Sequence, residues 1–295
     1  MVEIFGIPSQ ALFGQLLLGL INGSFYALLS LGLAVIFGML NIINFTHGAQ
    51  YMMGAFVAYI LLQYLGINYW AALVIVPILV GALGIVIERL LLQRLRSLDP
   101  LYGLLLTFGL ALIIEGVFRN YYGSSGQPYQ MPEALQGGRN LGFMFLPSYR
   151  AWVIAFSLVV CFGTWFAIER TRLGSYLRAA TENPTLVRAF GINVPRMVTL
   201  TYGFGVALAA LAGVMAAPIY NVSPQMGSDL IIVVFAVVVI GGMGSIMGAI
   251  LTGFALGIVE GLTKVFFPEA SNTVIFAIMI VVLLVRPAGL FGRSV

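Results

Sequence analysis

The chain is short of charge, lysine, histidine and cysteine, and each shortage removes a class of function. Asp, Glu, Lys and Arg together make up 8% of its 295 residues, against 61% hydrophobic. A soluble domain carries about 25% charged residues, so this chain could not cover its surface with polar groups in water. The single lysine, Lys264, cannot build a G-x-x-x-x-G-K-[ST] loop, which leaves no P-loop site for ATP. The single histidine, His47, excludes a multi-histidine metal site. The single cysteine, Cys161, excludes a disulfide within the chain and, inside an apolar run, reads as a small packing residue. No nucleophile–base pair or metal cluster stands out, so a membrane-bound enzyme is poorly supported and no cofactor is expected. Met1–Gln10 carries no Lys or Arg, so a cleaved signal peptide is not expected.

What is present is a succession of long apolar runs, with a mean hydropathy of +1.04. They are continuous rather than alternating, which argues for helices and against a barrel. The length allows about eight to ten spans of about 20 residues each. The expected fold is therefore a single all-α, polytopic membrane domain over residues 1–295. The first run, about Ala11 to Leu40, is longer than one straight span and is interrupted by Asn22, Gly23 and Ser24. It reads equally as one tilted helix or two pieces. Further runs cover about Ala49–Leu65, Trp70–Leu92, Leu101–Phe118, Ala151–Ile168 and Met197–Ala217. Others start near Leu230 and cover about Ile246–Phe267 and Thr273–Val285. A weak echo links Gly23–Gly32 with Gly244–Gly253, two small-residue-rich stretches. Transporters often contain repeats, but convergent composition explains the echo at least as well.

The net charge of +4 reports topology rather than nucleic-acid binding. Ten of the fourteen basic residues fall in three segments: Arg89, Arg94 and Arg96; Arg170, Arg172, Arg178, Arg188 and Arg196; and Arg286 and Arg293. If the spans alternate, these share one side, expected to be cytoplasmic. The polar loop Arg119–Arg150 then lies outside. The N-terminus lies outside too if the first run crosses once, and inside if it crosses twice.

Two acids are candidates for positions within the membrane. Glu115 precedes Arg119 by four residues and Glu260 precedes Lys264 by four, one helix turn in each case. Both read as interfacial pairs that snorkel to water, with ion coupling as the alternative. Of the 35 glycines, Gly253, Gly257 and Gly261 recur every fourth residue and give one helix a smooth face for close packing or for sliding. Asn41-Ile-Ile-Asn44-Phe-Thr46-His47-Gly48 gathers polar groups where a span should end. It reads as a plain loop or as a broken helix lining a cavity. His47 reads as a structural residue. Glu169–Arg196 is too polar to span. It reads as two short helices with a turn at Asn183-Pro184 and a stop at Gly191, suited to docking on a partner or lying on anionic lipid.

At these segments the sequence resembles the LivH-type permease subunit of branched-chain amino acid ABC importers. That family sits within a wider one that includes ribose-type sugar permeases. The matching stretches are Gly19–Leu28, Asn44–Gly48 with Met53-Gly54-Ala55, Gly174–Ile192, Gly241–Ser245 with Gly248, and Arg286-Pro287-x-Gly289-Leu290-Phe291-Gly292. Thr46 stands where the family often has Ala. The resemblance implies a non-catalytic inner-membrane permease that pairs with a second, LivM-type permease. Two cytoplasmic ATPase subunits and a periplasmic binding protein complete the importer. It implies leucine, isoleucine and valine, or related amino acids, as substrates, with urea or another small amide as the alternative within the family. An ion-coupled carrier relying on Glu115, Glu260 or His47 is the alternative of another class. The resemblance makes Gly174–Ile192 the ATPase-coupling segment, with Gly174, Ser175, Arg178, Ala179, Glu182, Asn183, Ala189, Gly191 and Ile192 as its candidate contacts. Asn22, Tyr26, Asn41, Asn44, His47 and Gly48 are the candidates for lining the solute path.

Overall fold

The computed structural model describes residues 3–4, 7–40, 44–95, 98–142 and 144–292. Among the sequence candidates, Asn41, Arg96 and Arg293 lie outside them. The first apolar run is one helix, α1, Ser9–Leu40, of 32 residues. At about 1.5 Å per residue it is about 48 Å long, more than the hydrocarbon core of about 30 Å. The polar interruption does not break it, because the hydroxyls bond back along the helix. Ser24 donates to the Leu20 carbonyl at 2.9 Å and Ser30 to the Tyr26 carbonyl at 2.5 Å. Such back-bonding lets serine sit inside an apolar helix without an unsatisfied donor.

The remaining helices are α2, Thr46–Leu65; α3, Tyr69–Leu95; α4, Pro100–Tyr122; α5, Ser148–Glu169; α6, Arg172–Glu182; α7, Pro184–Ala189; α8, Val194–Ala216; α9, Met226–Gly241; α10, Ile246–Phe266; and α11, Val274–Val285. Two short antiparallel strand pairs accompany them: β1, Glu3–Ile4, pairs with β2, Ile7–Pro8, ahead of α1, and β3, Gly138–Asn140, pairs with β4, Phe145–Pro147, between α4 and α5. Among the described residues, six helices are long and apolar enough to cross a membrane: α1, α3, α4, α5, α8 and α10. α2 has 20 residues, whereas α9 has 16 and α11 has 12.

Burial sorts these helices. The most apolar stretch of α1 is 83% buried and that of α8 is 72%, against 11% for α4. α1 and α8 are therefore the core, and α4 presents Leu105, Leu112 and Ile113 outward. Glycine makes the central contacts possible. A Cβ on Gly257 of α10 would meet the Gly19 carbonyl and Gly23 backbone of α1, and one on Gly213 of α8 would meet the Tyr51 carbonyl of α2. Where lipid supplies no hydrophobic drive between helices, this close backbone approach is what holds them together. The two echoed stretches also meet: Ser30 donates to the Ala249 carbonyl at 3.3 Å.

α3 carries a π-helical turn at Glu88–Leu92. The turn places Glu88 inside, fully buried, where it accepts from the Thr199 hydroxyl at 2.6 Å. Glu88 thus joins the two acids expected inside the bundle. The chain end closes on α9. Leu290 N–H donates to the Ile240 carbonyl at 2.8 Å and Phe291 N–H to the Gly241 carbonyl at 3.1 Å. These bonds satisfy carbonyls that a helix C-terminus leaves open. Gly242 and Gly289 face each other there at φ of 101° and 81°.

Candidate functional site

Among the described residues, polar groups gather inside the bundle and at its end. Inside, Glu260 of α10 is the hub. It accepts from the Tyr26 hydroxyl at 2.6 Å, from Asn22 Nδ2 at 3.4 Å and from Lys264 Nζ at 2.5 Å. Tyr220, in the connection between α8 and α9, donates to Asn22 Oδ1 at 2.9 Å. Glu260 pairs with Lys264 one turn away as the spacing requires, but it does not snorkel to water. It is 7% exposed, because Asn22 and Tyr26 from α1 close over it. Glu115 does pair with Arg119 near the end of α4, in a side-chain contact half open to water.

Beside this hub lies a cavity of about 270 Å³, lined by Asn22, Phe25, Tyr26, Tyr51, Tyr220 and Asp229 among others. Two of the six path candidates, Asn22 and Tyr26, are on its wall. Tyr51, Tyr220 and Asp229 were not singled out in the sequence. Tyr51 sits in an apolar run that nothing marks. Asp229 directly precedes the apolar run beginning at Leu230 and so reads as loop. α9 in fact begins three residues earlier, at Met226, with Asp229 in its first turn.

Asn44, His47 and Gly48 lie elsewhere. All three are buried at the start of α2, and none of them is on the cavity wall. Neighbouring helices bond some of their polar atoms, while Asn44 Oδ1 and His47 Nδ1 are buried without a hydrogen-bond partner among the described residues. His47 Nε2 is 3.0 Å from the Leu29 carbonyl, Asn44 Nδ2 donates to the Tyr202 hydroxyl at 3.2 Å, and Thr46 donates to the Thr107 carbonyl at 2.8 Å. Gly48 abuts Gly227, where a Cβ would stand 2.6 Å from the Gly227 carbonyl oxygen. This pins the start of α2 against the start of α9.

At the end of the bundle, the coupling candidates occupy α6, α7 and the residues after them. Asn183 caps α7 by accepting from Leu186 N at 3.0 Å, and Gly191 has a φ of 80°. Ser175, Ala179, Glu182, Asn183, Ala189 and Gly191 face outward, while Arg178 and Ile192 are half-buried. Gly174 is turned inward, where a side chain would strike the Ile168 carbonyl of α5. Arg178 is paired within the chain, to Glu169 at 3.2 Å. Leu173, Tyr176, Leu186 and Phe190 add an exposed apolar surface, with Phe190 77% exposed. Between α6 and the bundle is a cavity of about 630 Å³ bordered by Gly38, Glu169, Arg178, Gly244, Ser245 and Phe291. The end of α1, the helices α6 and α7 and the tail therefore share one end of the molecule. As α1 is unbroken, Ser9 lies at the other end.

At that other end the connection 119–147 folds back on the bundle. Gln127 and Val222 exchange backbone hydrogen bonds at 2.8 and 2.9 Å. Of its tyrosines, Tyr121 is 78% exposed, whereas Tyr122 is half-buried with its ring 5.0 Å from that of Phe56. Tyr129 is buried, which pushes its hydroxyl up to about 12.

The family described as "Branched-chain amino acid transport system / permease component" matches residues 15–283. BraD, a permease protein of the high-affinity branched-chain amino acid transport system of Pseudomonas aeruginosa, is 33% identical over 292 residues, covering 95% of both chains. LivH of Escherichia coli, named for the same kind of system, is 31% identical over 296 residues, again covering 95% of both. LivM of Escherichia coli is 29% identical over 297 residues, covering 91% of this chain and 68% of LivM. With all five motif stretches inside or adjoining the matched region, and with six helices fit to cross a bilayer, the chain belongs to the branched-chain amino acid transport permease family.

Proposed function

We propose that this chain is one of two permease subunits of an ATP-driven importer of branched-chain amino acids in the bacterial inner membrane. Its partners are a LivM-type permease, two cytoplasmic ATPase subunits and a periplasmic binding protein. The observation that carries this reading is the match to BraD and LivH over 95% of each chain. It is supported by the outward face of α6 and α7, which offers Ala179, Ser175, Leu186 and Phe190 to a partner at the arginine-rich end. The groups an ion-coupled carrier would use are already engaged within the chain: Glu115 by Arg119, Glu260 by Lys264 and Tyr26, and His47 by the Leu29 carbonyl.

In this reading the Asn22–Tyr26 wall lies on the solute path, and Asn44, His47 and Gly48 hold α2 against α8, α1 and α9. The segment 169–196 passes ATPase closure to the helices, and 119–150 lies on the periplasmic side. The test is leucine uptake by proteoliposomes holding both permeases and both ATPases, with loaded binding protein outside. Uptake should require ATP inside and stop with vanadate. Uptake that survives vanadate but collapses with the ion gradients would replace the importer by a secondary carrier.

A further inference from the structure

A run of contacts joins the connection 119–147 to the Glu260 hub. Gln127 and Val222 form an isolated antiparallel pair, exchanging backbone hydrogen bonds at 2.8 and 2.9 Å. The pair is braced on both sides. The Gln127 side chain accepts from the Tyr59 hydroxyl at 3.3 Å and donates to the Tyr122 carbonyl at 3.2 Å, while Val222 is fully buried. Beside it Gly126 lies against Asn221, where an added Cβ would stand 2.4 Å from the Asn221 Cβ. Two residues before Val222, the Tyr220 hydroxyl donates to Asn22 Oδ1 at 2.9 Å, and its ring meets that of Phe25 edge-on at 5.8 Å. Asn22 Nδ2 in turn donates to Glu260 at 3.4 Å, so Asn22 is held at both ends of its amide. Tyr220 is 41% exposed, unlike the buried Tyr26 and Glu260, and lines the cavity of about 270 Å³ with Asn22 and Phe25.

We propose that the Gln127–Val222 pair is a rigid joint that makes Tyr220 a movable latch on this cavity. A binding protein docked on the connection 119–147 displaces it, the joint carries residues 220–222 along, and the Tyr220 hydroxyl leaves Asn22 and opens the wall. A joint is needed because the two connections share no helix: one runs from α4 to α5, the other from α8 to α9. Paired backbone bonds beside a glycine contact with no spare room move as one unit, because close-packed contacts shift between discrete arrangements rather than deform. The Tyr220 hydroxyl is the weak end of the run. It makes one neutral hydrogen bond from a partly exposed side chain, and water can replace that bond at little net cost. Tyr220 is therefore a positioning residue for Asn22, which stays on Glu260. This assignment rests on the importer reading.

The test uses the complete importer in proteoliposomes, with ATP hydrolysis measured with and without loaded binding protein; the readout is the ratio of the two. Gly126→Ala, which pushes Asn221 away from the joint, should leave hydrolysis without binding protein within twofold and lower the ratio at least fivefold. Tyr220→Phe, which keeps the ring and removes the latch, should lower the ratio at least fivefold by raising hydrolysis without binding protein. The double variant should fall no lower than the lower single, as expected of two changes in one linkage. Gln127→Cys with Val222→Cys, in a Cys161→Ser background, puts thiols on a hydrogen-bonded pair, whose Cα separation of about 5.5 Å suits a disulfide. Its ratio should agree within twofold between oxidised and reduced forms. Stimulation lost on oxidation and restored by reductant means that the pair must part, and overturns the joint. So does an unchanged ratio in either single variant, or effects that multiply in the double. Should Gly126→Ala not assemble, Tyr220→Phe and the disulfide decide. An unsubstituted importer whose hydrolysis ignores loaded binding protein overturns the functional reading, and the joint with it.

Discussion

Tyr26 on α1 donates its hydroxyl proton to Glu260 on α10 at 2.6 Å, across an interface that glycines on both helices bring into close backbone contact. The two residues are 234 positions apart. The bond works because Gly19, Gly23, Gly253 and Gly257 bring the backbones close enough for a tyrosine to reach the acid.

Tyr26→Phe should lower the melting temperature of the purified permease, because a hydrogen bond to a charged group contributes about 1.5–3 kcal/mol. Glu260→Ala should lower it further, since Tyr26, Asn22 and Lys264 all lose their acceptor. Equal melting of both variants and the unsubstituted chain would mean that the interface stands on glycine packing alone.

Two glycine-to-alanine changes should act in opposite directions. Gly257→Ala drives a methyl into the α1 backbone, and overpacking of this kind costs about 1–3 kcal/mol. Gly14→Ala, with nothing within 4 Å of the added carbon, should stabilise by about 0.4–1 kcal/mol through the unfolded state. Thermal denaturation followed by size-exclusion chromatography reads both. A neutral Gly257→Ala would show that α1 and α10 can part without loss.

Single cysteines at Thr181 and Ser124, in a Cys161→Ser background, should label from opposite sides of the membrane with an impermeant thiol reagent. Both positions are exposed and lie at opposite ends of the bundle, whereas Cys161 is buried. Labelling from one side only would overturn the orientation set by the arginine-rich segments.

Ala179→Trp places an indole on the outward face of α6 and should abolish uptake and release the ATPases in a pull-down, while the chain still inserts. Phe190→Ser removes the most exposed apolar side chain of the segment, and a docking hot spot of this kind is worth about 2 kcal/mol or more. Arg178→Glu sets two acids facing each other at the end of α5, where Arg178 now meets Glu169. Normal transport by all three would return the segment to a role at the lipid surface.

The apolar runs and the two short helices within 169–196 were legible because membrane insertion and helix capping are written locally. A long run free of charge must be a helix in lipid, and Asn183-Pro184 followed by Gly191 punctuates α6 and α7 at the expected places. The first run was ambiguous because hydropathy does not reveal that Ser24 and Ser30 satisfy themselves on the preceding turn. Composition alone makes the tyrosines of the 119–150 loop look alike. Only burial separates Tyr121, which is free to touch a partner, from Tyr129, which is not.

By itself the sequence determined the solvent this protein lives in, its helical class, its arginine-rich end and its family, since each depends on residue type and local order. The tertiary structure alone decided which polar groups meet. Asn44 and His47, the most conspicuous polar cluster in the sequence, went into the packing around Tyr202 and Leu29. Tyr51 and Asp229, which nothing in the sequence marks, went to the wall of a cavity. The reason is physical: a buried polar group is defined by the partner it finds, and that partner lies on another helix, brought within reach by glycines far along the chain.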